Sequence, residues 1–316
     1  MTPLIKLSLL PSGSLTLPTR FFCADKSTST ERLLVPSMSF LLQHPSGKKI
    51  VFDLGIRRNL DEYPASIQPH LVTRQPIYTV PDVCDSLRQG GLNPAEIDAV
   101  ILSHVHYDHV GTPSAFSNAM FIVGNGTRGL LQNGMAYHSA AHFEADLLPD
   151  GRTVELPLPP PLPPALELPS PVTIPDLHRV VDGVQHAWRP LNPFPNAIDL
   201  FGDGSFYIVD SPGHLVGHLN VLAKVRDDHW VYLAGDACHH PRLLTGEAEM
   251  AEWEENGALV CIHENKKLAE ETLRRIRRAR NEGTEVEGDT GTVEVVLAHD
   301  AEWFMEHAGW IFPGFL

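Results

Sequence analysis

The stretch Ala99-Val100-Ile101-Leu102-Ser103-His104-Val105-His106-Tyr107-Asp108-His109 decides how this chain is read. Four apolar residues run directly into three imidazoles and a carboxylate, donor types that together suit a divalent metal ion. In extended backbone alternate side chains share a face, so His104 and His106 can grip one ion. Asp108 and His109 then fall on the turn that follows, aimed at a second. A lone histidine is more often a core or surface residue, but four ligand-type side chains in this register are not explained that way. Nitrogen with carboxylate oxygen suits zinc first, and iron, cobalt, nickel and manganese share the same donor chemistry.

The pattern recurs along the chain. Apolar runs Ile50 to Asp53, Ala99 to His104, Phe206 to Asp210 with His214 beyond, Trp230 to Asp236, and Val293 to His299 each end on a ligand-type residue. Runs of this length bounded by Gly, Pro and Asp read as buried strands, and their common ending gathers the chemistry at one sheet edge. Further strands are expected at Ile5 to Leu10, Met38 to His44, Met120 to Val123 and Leu219 to Val225. Pro81 to Gln89, closed by Gly90-Gly91, predicts a short helix with proline in its first turn. Asn265 to Arg280 predicts an exposed amphipathic helix whose arginines, Arg274 to Arg280, form a solvated face balanced by Glu264, Glu270 and Glu271.

The remaining features bound the function. The chain has 316 residues with 39 acidic against 24 basic, a net charge of −15 that argues against nucleic acid as a partner. Neither a leader nor a stretch of membrane-spanning length is seen, so a soluble cytoplasmic protein with no membrane partner is expected. Four scattered cysteines, Cys23, Cys84, Cys238 and Cys261, form no Cys-x-x-Cys pair and read as reduced, buried residues. The proline-crowded segment Leu156 to Pro175 cannot be a central strand or helix interior and is expected to be an extended surface insertion. Ligand-type residues stand on both sides of it, so it does not divide the chain, which is expected to form a single domain over 1–316.

Taken together, His104-x-His106-x-Asp108-His109, Pro212-Gly213-His214-x-x-Gly217-His218, Gly235-Asp236-Ala237 and the late His299 resemble the metallo-β-lactamase superfamily. The resemblance implies an α/β (α+β) fold, an αββα sandwich of two mixed sheets with helices outside. It implies that two divalent ions are bound: His104, His106 and His214 hold the first, Asp108, His109 and His299 the second, and Asp236 bridges them. Asp53 matches an aspartate that supports the metal loops from behind, while His218 and Asp300 read as structural hydrogen-bonding residues.

A pair of ions about 3.5 to 4 Å apart makes hydroxide from water near neutral pH, which points to hydrolysis. Asp108 and Asp236 are the candidates to move the proton. Within the superfamily the chain resembles N-acyl homoserine lactonases, through Leu34 to Leu42 ahead of Val51-Phe52-Asp53 and through the bridging Asp236. The expected reaction is therefore attack of a metal-bridging hydroxide on the carbonyl of a small lactone, with a cyclic amide or carbamate of the benzoxazolinone kind as the near alternative. Lactonases commonly carry tyrosine three residues after the bridging aspartate; here that position is His239, followed by His240, and either imidazole can donate to an oxyanion. Phe21, Phe22, Met38, Phe40 and Phe116 are candidates for an apolar wall, with core packing the competing role. A glyoxalase-II-type thioesterase would need a basic pocket that the arginine helix supplies poorly. A non-catalytic binding module would be expected to have lost ligands. A homodimer is compatible with the resemblance, although no apolar stripe in the sequence argues for it.

Overall fold

A computed structural model of the chain describes residues 2–135, 142–160, 172–255, 257–286 and 289–316. Two sheets face each other. The first has strands Lys6–Pro18, Arg32–Gln43, Lys49–Phe52, Ala99–Ile101, Met120–Val123 and Thr153–Glu155 side by side in chain order. Its first three strands run antiparallel and its last four parallel. The second sheet runs in the order Thr284–Val286, Asp289–Val296, His229–Leu233, Leu219–Arg226, Phe206–Asp210, Phe194–Asp199, Arg189–Leu191.

Period-two alternation explains why both faces of each sheet are buried. Ile50 and Phe52 point into the layer between the sheets, where Leu7, Leu9, Phe40, Ile101 and Ile122 meet Ile208, Val221, Val231, Leu233 and Val296. Val51, one residue out of phase, packs instead with Val100, Phe121, Val83 and Leu87 beneath helices. On the far side Leu222, Trp230 and Tyr232 are covered by Leu273 and Ile276 of the helix Lys266–Glu282. The result is the helix–sheet–sheet–helix sandwich. Two backbone bonds lace the sheets together beside the ligand loops: Met38 N–H donates to Ala298 O (3.1 Å) and Leu219 N–H to Ser103 O (2.8 Å).

Several boundaries differ from the sequence expectation. The Ala99 strand stops at Ile101, because the Ser103 N–H leaves the ladder for the Asp53 carboxylate. The expected Pro81 helix is Val83–Gln89, and its N-cap is Asp82, whose carboxylate accepts from Asp85 N–H, so Pro81 lies outside it. Of the proline-crowded segment, 161–171 lie outside the described residues. Its flanks are held: Leu156 and Ile174 are buried, and the Trp188 indole donates to Pro157 O at 2.9 Å. Among the described residues no helix is long and apolar enough to cross a membrane.

Candidate metal centre

Four loops converge where the strands end. His104 and His106 follow the strand Ala99–Ile101, and Asp108 and His109 sit on the one-turn helix Tyr107–Val110. His214 stands on the Pro212-Gly213 turn, which is pinned by Asn265 N–H to Gly213 O and Glu264 N–H to His214 O, both 2.9 Å. Asp236 and His299 follow the adjacent parallel strands His229–Leu233 and Asp289–Val296. All seven are buried.

Their donor atoms fall into two groups, His104, His106, His214 and Asp236 in one and Asp108, His109 and His299 in the other. In the first, His104 Nε2, His106 Nδ1 and His214 Nε2 form a triangle with sides of 2.9, 3.1 and 3.2 Å. Asp236 reaches toward both. Its Oδ2 lies 3.4 Å from His214 Nε2 and 3.4 Å from His109 Nε2, and its Oδ1 3.3 Å from His299 Nε2.

The surrounding atoms set which nitrogen is bare. The His299 Nδ1–H donates to Pro36 O (2.8 Å) and the His109 Nδ1–H to Asp53 Oδ2 (2.8 Å), leaving each Nε2 to face the cluster as a lone pair. His109 Nε2 is buried without a hydrogen-bond partner, an arrangement a cation would satisfy. Burial keeps His104 and His214 well below the ordinary imidazole pKa, in the neutral form that ligates metal. Burial also opposes charge on His109, yet Asp236 and Asp53 hold it well above its ordinary value. Asp236 is desolvated too, but His109, His239 and His299 keep it well below the carboxylate range. Burial thus keeps His104 and His214 neutral while the carboxylates of Asp236 and Asp53 draw positive charge to the same place, a charge that divalent ions would supply.

Asp53 is nearly fully buried and takes φ 58°, a left-handed conformation that aspartate tolerates better than most residues. It also accepts from Ser103 N–H (2.6 Å) and Ser103 Oγ–H (2.7 Å), and Ser103 Oγ lies 2.9 Å from His104 Nδ1. One carboxylate therefore orients a histidine of each group.

The other expectations divide. His239 Nε2 lies 3.0 Å from Asp236 Oδ2, and its ring stacks on Phe22 at 4.8 Å. His240 points elsewhere: its Nδ1 accepts from Arg242 N–H and caps the helix Pro241–Thr245, so only His239 faces the centre. His218 is structural, with Nδ1 2.8 Å from Ser211 O and Nε2 accepting from Asp236 N–H; burial pushes its pKa down to about 4. Asp300 caps the helix Ala301–Glu306. Of the five candidate wall residues, Phe22 lines the cleft over the centre, Phe21 packs on Trp253, and Met38, Phe40 and Phe116 lie in the core.

Sequence reasoning missed His263, whose Nδ1 lies 3.2 Å from His214 Nδ1 and which groups with His214 and His239. Leu259-Val260-Cys261-Ile262-His263 has the same apolar-run-then-ligand signature as the five runs singled out, and could have been found by it. It also missed His70, Arg74 and Tyr107, which line the narrow cleft, about 30 Å³, together with Leu17, Phe22 and Ile262.

The sandwich and a histidine–aspartate centre at its strand ends define a class, and sequence comparison supplies the family. Residues 32–125 match the metallo-beta-lactamase superfamily model. The chain is 37% identical over 220 residues to metallo-hydrolase mfmC of Annulohypoxylon moriforme, covering 67% of this chain and 50% of that one. It is 30% identical over 195 residues to gamma-lactamase MBL2 of Gibberella moniliformis, covering 60% and 71%. The chain spans half or less of the length of several curated relatives it matches. A solved N-acyl homoserine lactone hydrolase superposes with a TM-score of 0.62 over all of both chains at 18% identity, a likeness of fold. The chain belongs to the metallo-beta-lactamase superfamily.

Proposed function

We propose that this chain is a metal-dependent hydrolase that opens a small carbonyl ring, a lactone in the first instance. The observation that carries the reading is the Asp236 carboxylate set between two groups of ligand atoms, 3.4 Å from His214 and 3.3 Å from His299. In this reading His104, His106 and His214 hold one ion, Asp108, His109 and His299 another, with Asp236 shared and zinc the metal. Two such ions would supply Lewis acidity at the ring carbonyl and activation of water near neutral pH.

The residues themselves carry the rest. Asp53 and Pro36 O hold His109 and His299 in the tautomer that presents Nε2. Asp108 and Asp236 take up the proton released by water and return it to the leaving oxygen or nitrogen. His239, within hydrogen-bond reach of Asp236, relays that proton and positions the ring oxygen. Leu17, Phe22 and Ile262 give the ring an apolar surface. We read the chain as one domain, with the proline-crowded segment 156–175 as an insertion that does not divide it.

A ring amide is the second reading, favoured by one observation. The relatives named gamma-lactamase are 29% and 30% identical to this chain, against 24% and 25% for those named N-acyl homoserine lactonase. Metal content measured alongside turnover of a lactone, a lactam and an acylglutathione thioester tests the proposal. Ring opening without thioester cleavage is expected, and His106→Ala or Asp236→Ala should lose metal and turnover together. Thioester cleavage alone, or full turnover by a metal-free variant, would overturn it.

A further inference from the structure

One charged side chain in the cleft has no use in the reaction just described. Arg74 lies at the C-terminal end of the helix Gln68–Thr73, one turn after His70, and both line the cleft over the metal centre. Its residue is only 6% exposed. Its backbone is satisfied, N–H donating to Leu71 O and carbonyl accepting from Thr16 N–H. Its guanidinium is not matched by charge: among the described residues no carboxylate lies within ion-pair distance of it. Its neighbours are the Tyr107 hydroxyl, the more distant Asp108, the like-charged Arg32, and the Phe21 ring 5.8 Å away.

A guanidinium taken out of water without a counter-charge costs stability that packing alone does not return. Among the described residues the other buried arginine, Arg57, is paired: it meets Glu144 at 2.6 Å and donates to the carbonyls of Gly111 and Glu62. Arg74 therefore stands out as a planar, permanently charged donor held ready for an acceptor that arrives from outside. It shares its cleft with Asp108, Asp236 and His299, so that acceptor belongs to the molecule being hydrolysed.

We propose that Arg74 anchors a carboxylate carried by the substrate, so that the preferred ring is an anionic lactone or lactam rather than a neutral one. The proposal rests on the ring-opening reading above for the identity of the ring, and on Arg74 alone for its charge. The apolar wall of Leu17, Phe22 and Ile262 takes the ring body, and the guanidinium takes the carboxylate by paired N–H···O bonds.

The test compares a γ-butyrolactone and a phthalide, each bearing a carboxylate or the neutral carboxamide, on metal-loaded wild type, Arg74→Gln and Arg74→Lys. Calorimetric binding of tetrahydrofuran-2-carboxylate against its carboxamide, rings that cannot be hydrolysed, gives a readout independent of turnover. Wild type should prefer the carboxylate by about 10- to 100-fold, the range of a charged hydrogen-bond pair. Arg74→Gln should lower that preference about 10- to 100-fold, through a much larger loss on the carboxylate than on the carboxamide, and Arg74→Lys should keep part of it. Any affinity of carboxylate for the metals is common to all three proteins and cancels. Should Arg74→Gln fail to fold, as judged by circular dichroism, the partial preference of Arg74→Lys carries the test. Equal loss on both probes, or a preference for the carboxylate left unchanged by Arg74→Gln, would overturn the proposal. Discrimination in binding with no ring opened would leave the anchor standing and remove the ring-opening reading. Ring opening without discrimination would do the reverse.

Discussion

Replacing Asp53 by asparagine tests whether a residue that touches no ion governs the metal centre. The carboxylate accepts three hydrogen bonds, from Ser103 N–H at 2.6 Å onto Oδ1, and from Ser103 Oγ–H and His109 Nδ1–H at 2.7 and 2.8 Å onto Oδ2. An amide has one acceptor and one donor, so it cannot serve both sides. With its oxygen toward His109, its NH2 opposes the buried Ser103 N–H. With its oxygen toward Ser103 N–H, its NH2 forces His109 to accept at Nδ1 and carry its proton on Nε2, the atom that faces the centre. Either way a charge-assisted bond of about 1.5–3 kcal/mol is lost. Expressed in metal binding, that is about 10- to 100-fold weaker affinity, the range found when partners behind a ligand histidine are removed. Asparagine tolerates the φ of 58° nearly as well as aspartate, so backbone strain does not confound the result. Competition against a chromophoric chelator measures the affinity, and thermal unfolding of the metal-free protein measures folding separately. Metal affinity within a factor of two of wild type, in a folded Asp53→Asn protein, would refute the tautomer argument.

Three further outcomes are expected. Chelation should lower Tm and abolish turnover, and added zinc should restore both, because ions bound only by the folded state stabilise it by mass action; an unchanged Tm in differential scanning calorimetry would count against ions at this cluster. Gly213 has φ +126°, and a Cβ there would meet Ala269 N at 2.2 Å, so Gly213→Ala should cost at least about 2 kcal/mol in urea unfolding and displace His214; a cost below about 0.5 kcal/mol would contradict it. Burial pushes Asp210 up to about 6 from 3.8, opposed by the Asn196 hydrogen bond and Arg275, so its contribution is full below pH 3.8 and falls away as pH rises through 6. Asp210→Asn should then gain about 1–3 kcal/mol over wild type at pH 8 and little at pH 4, read from urea curves at the two pH values; a gain independent of pH would refute the assignment.

The fold was legible wherever an apolar run had period-two burial. Lys49–Phe52, Met120–Val123 and His229–Leu233 fall where the sequence puts them, because their side chains fill both layers of the sandwich. The strand Lys6–Pro18 was read too short, since Pro11 interrupts the pattern and the structure absorbs it in a register shift between Pro11 and Ser14. Phe194–Asp199, with Pro195 and Asn196 inside it, gave no strand signal and forms because Phe206–Asp210 offers it a ladder. The ligand-type residues were legible because each closes an apolar run. The helix Gln68–Thr73 carries Pro69, Val72 and Thr73 and has no apolar period, so Arg74 and His70 were invisible. Only tertiary packing against Tyr107 brings them to the cleft, His70 and Tyr107 ring to ring at 5.4 Å.

That difference has a physical reason that bears on the function. Ligands must sit on rigid elements, and rigid strands announce themselves in sequence; the groups that choose among substrates sit on short segments whose place is set by distant contacts. Asp53, Ser103 and Pro36 link the ligands to the sheet through bonds of 2.6 to 2.9 Å, so the centre is built into the scaffold. Arg74 is held to the sandwich by one turn of helix and by Thr16 N–H on its carbonyl. On the proposed reading, exchange of that turn would change which ring enters without disturbing what is done to it. Accordingly, Arg74→Gln should change the ratio of kcat/KM between charged and neutral rings and leave metal content untouched, whereas Asp53→Asn should lower metal content and leave that ratio as it was. A variant of Asp53 that shifted the charge preference would show that the two layers are coupled, and would sink the separation argued here.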